Sequence, residues 1–274
     1  NMVSELPSLQ GVMGSYYAIR FNEVPDVAMA IRDHYQPRSE GDRLPETTPA
    51  TILAIADRVD TIVSCFENNA IPTGSRDPWG IRRAMIAITN MVLQNQLNLN
   101  ITQLIEDATI TLGKNIGPNT QACLDFFNTR IQTVLSDKGV PQNMLKLFYA
   151  GLLTQPLVVA EQAQTLVQLK EDTPEKFTLL LDTTTRVANI IQTEQTHDTV
   201  DAKLFSESIE SDLYQSFKTL TSQQPILSIT PNSLPPVLSF CHILSSYFEQ
   251  VLINDNNPDV AKNRQALMQQ VNRY

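Results

Sequence analysis

The sequence predicts an all-α fold. Apolar residues recur at spacings of three and four along nearly the whole chain, and only 9 of the 274 residues are glycine. No stretch sustains the alternation of two that a half-buried strand needs. The clearest helix is "TPATILAIADRVDTIVSCF" (48–66), where Ile52, Ile55, Ala56, Val59, Ile62, Val63 and Phe66 form one apolar stripe. Thr48 suits its cap and Pro49 its first turn. A second helix is predicted from Asp77 to residue 95, with Asp77 as cap, Pro78 at its first position, and Trp79, Ile81, Met85, Ile86 and Ile88 along it. The loop 67–76 is short enough to fold these two helices together through Ile55, Val59, Ile62, Phe66, Trp79 and Met85. The same period predicts helices over 24–35, 101–112, 119–136, 141–153, 157–170, 174–194, 201–221, 234–253 and 258–272.

Breaks fall at "LGKNIGPNT" (112–120) and at the Pro/Ser-rich "SQQPILSITPNSLPP" (222–236). No repeat of fixed period is present. A boundary within 113–141 divides the chain into a helical domain over 1–140 and a helical bundle over 141–274. Residue 1 is not methionine and Met2 already enters a motif-like stretch, so a piece of a longer protein is expected.

Composition narrows the function. Charged residues make up 18% and hydrophobic ones 42%, a globular balance. The net charge of −9 argues against a broad electrostatic grip on nucleic acid, which needs a basic face, and leaves room for a local basic patch. No apolar run approaches the roughly 18 residues that span a bilayer, and "NMVSELPSLQG" lacks the pattern of a signal peptide. A cytoplasmic protein without membrane contact is expected. Cys65, Cys123 and Cys241 lie far apart among apolar residues and read as reduced, buried thiols.

Catalytic patterns are scarce. Asp33, His34, Asp57 and Asp60 are of the right types for a divalent metal, but the His-Asp dipeptide of metal phosphohydrolases of the HD class is absent, and residues 33–34 reverse it. His197 and His242 have no partner at helical spacing. No GxSxG and no phosphate loop appear, and the "TGS" at 73–75 lacks the Lys of a P-loop. No catalytic, cofactor or metal residues are therefore assigned. Anion contact remains. Arg76, Arg82 and Arg83, with Thr73, Ser75 and the amides of the following helix, suit phosphate. Lys262, Arg264 and Arg273 form a second basic spot. One of Arg82 and Arg83 is expected to turn inward onto Asp57 and Asp60.

The order of several stretches resembles a known family. "ELPSLQGVMGSYYA" (5–18), "VAMAIRDHYQP" (27–37), "GDRLPET" (41–47), "ILAIADRVDTIV" (52–63) and "PTGSRDPWGIRRA" (72–84) follow one another as in the β subunit of bacterial glycyl-tRNA synthetase. "TTRVANII" (184–191) is similar to its Lys-Arg-x-x-Asn-Ile stretch, and "YFEQVLINDNNPDVAKNRQALM" (247–268) to its Phe-Phe-Asp…Asn-Arg-Leu ending. Departures are Ser64, Glu67 and Asn69 for glycines, Trp79-Gly80-Ile81 for Phe-Ala-Leu, Thr185 for Lys, Tyr247 and Glu249 for Phe and Asp, and Gln265 for Leu.

The resemblance implies an HD-like helical domain over 1–140 and a DALR-type anticodon-binding region over 141–274. It implies a chain that binds glycine tRNA and is inert alone, the glycine, ATP and Mg chemistry belonging to a separate or fused α subunit. Arg76, Arg82, Arg83, Lys262 and Arg264 become candidate tRNA contacts. The alternatives are a metal-dependent HD-type phosphohydrolase and a purely structural subunit-association module.

Overall fold

A computed structural model describes residues 6–39, 41–74, 76–145, 155–191, 199–224 and 229–274. Among them the secondary structure is helical, apart from one isolated bridge between Thr73 and Arg76. The fold is all-α. It divides into two compact units, Asn1–Ala160 and Glu161–Tyr274. The division therefore falls later than the boundary expected after residue 140. The Gly/Pro break at 113–118 lies inside the first unit, because the helices on either side of it pack on each other.

The first unit begins with a 3-10 turn, Pro7–Leu9, then α1 (Val12–Arg20) and α2 (Pro25–Asp33). Next come α3 (Thr48–Glu67), α4 (Ile81–Gln94), α5 (Ile101–Thr111), α6 (Pro118–Asp137) and the short α7 (Gln142–Leu145). α8 (Pro156–Asp172) contains the point of division. α1 was not among the expected helices, since its nine residues carry a glycine inside. That glycine has a packing reason: a Cβ on Gly14 would lie 2.7 Å from Cγ2 of Ile31 on α2.

α3 is the centre of this unit and packs on α2, α4, α5 and α6. It buries Ala54, Ile55, Val59, Ile62, Val63 and Phe66, while α4 buries Ile81, Met85, Ile88, Met91 and Val92. Each of these side chains larger than alanine contributes roughly 1.5–3 kcal/mol through area removed from water. Of the expected stripe, Ile55, Val59, Ile62, Val63 and Phe66 are buried, but Ile52 and Ala56 are exposed. The cap of α3 is Thr47, one residue earlier than expected, and its hydroxyl accepts from the Ala50 amide at 3.3 Å.

The second unit contains α9 (Pro174–Ile190), a 3-10 turn (Ala202–Leu204), α10 (Ser208–Gln223), α11 (Leu234–Gln250) and α12 (Pro258–Arg273). α11 packs on α9 and α10, and α9 packs also on α12. The expected helical stretches 146–153 and 192–194, together with His197, lie outside the described residues. All three cysteines are buried, and burial pushes the Cys123 thiol up to about 12.

Candidate nucleic-acid interface

Asp77 ends the loop before α4 and caps that helix, as the sequence suggests, but from a greater distance. Its carboxylate accepts from the amides of Ile81 (2.8 Å) and Arg82 (3.0 Å), four and five residues on. Pro78 and Trp79 occupy a turn before the helix, and Gly80 is the N-cap at φ +68, a left-handed conformation that costs glycine little. Two expectations fail for this reason. Trp79 stands before the first buried turn and is 64% exposed, so it is not a core residue. The first two amides of α4 donate to Asp77 and are not open to an outside phosphate. Ser75 lies outside the described residues.

Arg82 and Arg83 diverge, as neighbours about 100° apart on a helix must. Arg82 is half-buried, with its guanidinium carbon 6.0 Å from the Phe126 ring centroid, and Arg130 stacks closer on the same ring at 3.6 Å. Arg83 is exposed and lies along Gly80, its Nη2 3.0 Å from where a Cβ would stand. Arg76 is exposed beyond a turn closed by its own amide and the Thr73 carbonyl (3.0 Å).

Neither Arg82 nor Arg83 turns inward onto carboxylates. Asp57 and Asp60 lie exposed on α3, and neither forms an ion pair with any described residue. The inward arginine is Arg58. Its Nη1 donates to the carbonyls of His34 (2.7 Å) and Ala54 (3.0 Å). Its Nη2 donates to those of Tyr35 (3.0 Å), Gln36 (2.9 Å) and Pro37 (3.2 Å). One guanidinium thus holds four consecutive carbonyls after α2, and burial pulls its pKa below the usual arginine value.

Arg58 forms part of the wall of a shallow cleft of about 310 Å³, with Tyr35, Pro37, Arg38, Trp79 and Arg83 around it. Arg38 is fixed at the rim, where Nη2 donates to the Gln10 carbonyl at 2.9 Å. Among the described residues no carboxylate side chain lines the cleft.

The acidic and imidazole groups beside it are engaged within the protein. Asp33 is fully buried and accepts from Arg32 at 2.8 and 3.2 Å and from Arg43 at 3.2 Å. Arg43 also pairs with Glu46. The Arg32 hydrogen bond, opposed by burial and aided by the charges of Arg32, Arg43 and Arg38, holds the Asp33 carboxyl below its usual range. His34 places Nδ1 3.1 Å from the Ala30 carbonyl and its ring against Tyr35. Among the described residues no group of three His, Cys, Asp or Glu side chains is placed to hold a metal.

The second basic spot separates on inspection. Lys262 and Arg273 are exposed on α12, whereas Arg264 is 4% exposed and bonded on every side. Its Nε donates to Glu210 (2.9 Å), Nη1 to Asp255 and the Leu252 carbonyl (2.8 Å each), and Nη2 to Ser206 (2.8 Å). Glu210 also accepts from the amides of Ser206 (2.7 Å) and Glu207 (2.9 Å), closing a capping box on α10. Asn263 exchanges two hydrogen bonds with the backbone of Asp201. Arg264 is a knot inside the second unit and offers no donor to a phosphate.

The sequence model described as glycyl-tRNA synthetase beta subunit matches residues 1–150, more than half of the chain. The chain belongs to the glycyl-tRNA synthetase β-subunit family. Among similar proteins are the "Glycine--tRNA ligase beta subunit" of Limosilactobacillus fermentum, 33% identical over 97% of this chain, and that of Geotalea daltonii, 32% identical over 98%. The protein of the same name from Rickettsia prowazekii is 32% identical over 98%. The chain spans 40% of the length of each of these relatives.

The motifs that carry the family resemblance acquire physical roles. "VAMAIRDHYQP" supplies Asp33 and the carbonyls that Arg58 of "ILAIADRVDTIV" holds, and "GDRLPET" supplies Arg43. The Asn-Arg of the ending is the buried pair Asn263–Arg264. Sequence reading missed Arg38, Arg58 and exposed Trp79 as cleft residues, although each lies in or beside a quoted stretch. No helix among the described residues is long and apolar enough to cross a membrane.

Proposed function

We propose that this chain is the tRNA-binding portion of a glycyl-tRNA synthetase β subunit, holding glycine tRNA while an α subunit joins glycine to it with ATP and Mg. In this reading the first unit corresponds to the HD-like domain and the second to the DALR-type anticodon-binding region, in a cytoplasmic enzyme. The observation that carries it, beside family membership, is the cleft walled by Arg38, Arg58 and Arg83 without an acidic side chain, on a chain of net charge −9. A local cationic surface on an acidic body fits an anionic polymer held at one place. Exposed Arg76 and half-buried Arg82 are the further candidates of the first unit, and Lys262 is the exposed candidate of the second. A metal-dependent hydrolase is less well supported, because Asp33 is saturated by two arginines.

A second reading, association with the α subunit, is favoured by exposed Tyr16, Ile19, Phe21 and Val24 on and between α1 and α2. The two roles are compatible. Filter binding of glycine tRNA to the chain, alone and together with complete β and α, tests the first. Arg83→Ala and Arg76→Ala should weaken all tRNAs alike and lower the log–log salt slope by about one each. Unchanged affinity and slope in every arginine variant would remove the tRNA-binding reading.

A further inference from the structure

From the cleft geometry we infer that the first unit holds a single unstacked nucleotide of the RNA, with the base on Trp79 and the adjoining phosphates on Arg38 and Arg83. This rests on the tRNA-binding reading and goes further by naming the part of the RNA that is taken. Three observations combine. Trp79 is an exposed aromatic side chain at a concave site, 64% accessible where most rings of this size are covered. Two cations, Arg38 and Arg83, stand on the same cleft. Both belong to ordered surroundings, Arg38 through the Gln10 carbonyl and Arg83 along the bare Cα of Gly80. An aromatic face beside backbone-neutralising cations is the arrangement that binds unpaired nucleotides, because every base has a stacking face and every linkage a charge. An A-form duplex does not fit the same chemistry, since its bases are stacked inside and only its edges and backbone reach a side chain.

The structure also fixes what holds the platform. Gly80 is in the left-handed region, so the backbone reverses directly after Trp79, and Asp77 locks the other side of the turn onto α4. Tyr35 and Pro37 line the cleft from the segment 34–37, whose carbonyls Arg58 gathers. The indole and the Arg58-held segment therefore belong to different elements of one unit, and both contribute to the same cleft.

Trp79 is the chain's single tryptophan, so its emission reports this site and no other. The test titrates the full chain with oligoadenylate, a duplex RNA of equal length, inorganic phosphate and glycine tRNA, following tryptophan fluorescence and retention on filters. Expected results are quenching by oligoadenylate and by tRNA, with none from phosphate or the duplex. Trp79→Ala should weaken retention about tenfold or more, while Trp79→Phe keeps most of the affinity. Circular dichroism of both variants should match the parent, as the ring is outside the core. Glycine tRNA lacking its unpaired 3′ end identifies the source: lost quenching places that end in the cleft, and retained quenching places a loop nucleotide there, the inference standing in both cases. If tRNA is retained with unchanged emission, and Trp79→Ala binds like the parent, the inference is overturned while the tRNA-binding reading survives. Equal quenching by duplex and single strand also overturns it. If no RNA is retained at all, the inference and the reading fall together.

Discussion

Arg264 Nε donates to Glu210 Oε1 at 2.9 Å, and both side chains are removed from solvent, one on α12 and the other in the first turn of α10. Fifty-four positions separate them. Removing one member leaves a buried charge without its partner, which costs about 3–5 kcal/mol. Arg264→Ala and Glu210→Ala should each lower the urea-unfolding free energy of the second unit by that amount. A change below about 1 kcal/mol in either would show that water replaces the missing partner.

Two buried acids set the response to low pH. Burial opposes the charge on Glu210, but Arg264 and the amides of Glu207 and Ser206 outweigh it and hold the carboxyl below its usual value. Asp33 is lowered chiefly by Arg32. A depressed carboxyl contributes stability that is complete above its unfolded value, near pH 4, and is lost as pH falls through its folded value. Unfolding midpoints measured from pH 7 to pH 3 should therefore fall below about pH 4.5, and Glu210→Gln and Asp33→Asn should each flatten that fall. Equal slopes in parent and variants would assign the acid response to other groups.

The sequence placed both Trp79 and Met85 in the core, and only Met85 is there. Trp79→Ala should alter stability by less than about 0.5 kcal/mol, because the ring is outside the core. Met85→Ala should cost about 2–5 kcal/mol, since Met85 is fully buried. Thermal melts of the two variants decide it. A large loss at Trp79 would mean that the ring is covered by protein.

Tyr247 is fully buried, and its hydroxyl has no hydrogen-bond partner among the described residues. An unpaired buried hydroxyl costs about 1–3 kcal/mol, so Tyr247→Phe should stabilise the protein or leave it unchanged. Destabilisation would show that the hydroxyl is bonded after all.

The sequence made the helices legible wherever one face is buried. α3 is the clear case, because Ile55, Val59, Ile62 and Phe66 repeat with the helix period and the core follows them. It did not show where α4 begins. Asp77-Pro78 reads equally well as a cap with the first helical residue and as a turn, and the difference lies in the left-handed Gly80, which spacing does not reveal. Arg58 could not be read as the inward arginine, because its partners are main-chain carbonyls that any residue supplies. Arg264 was read as a surface cation because its acceptors, Glu210 and Asp255, come from other elements brought together only by the fold.

The way Arg58 is anchored separates the cleft's shape from its charge. The walls are drawn together by one cation and a row of peptide dipoles, with no acid in the set, so mobile ions have little to compete for there. Arg38 and Arg83 face solvent and are screened within about 8–10 Å at ordinary ionic strength. Raising the salt should thus dim the attraction while the architecture stays as it was. A salt series on this protein reads recognition free of unfolding.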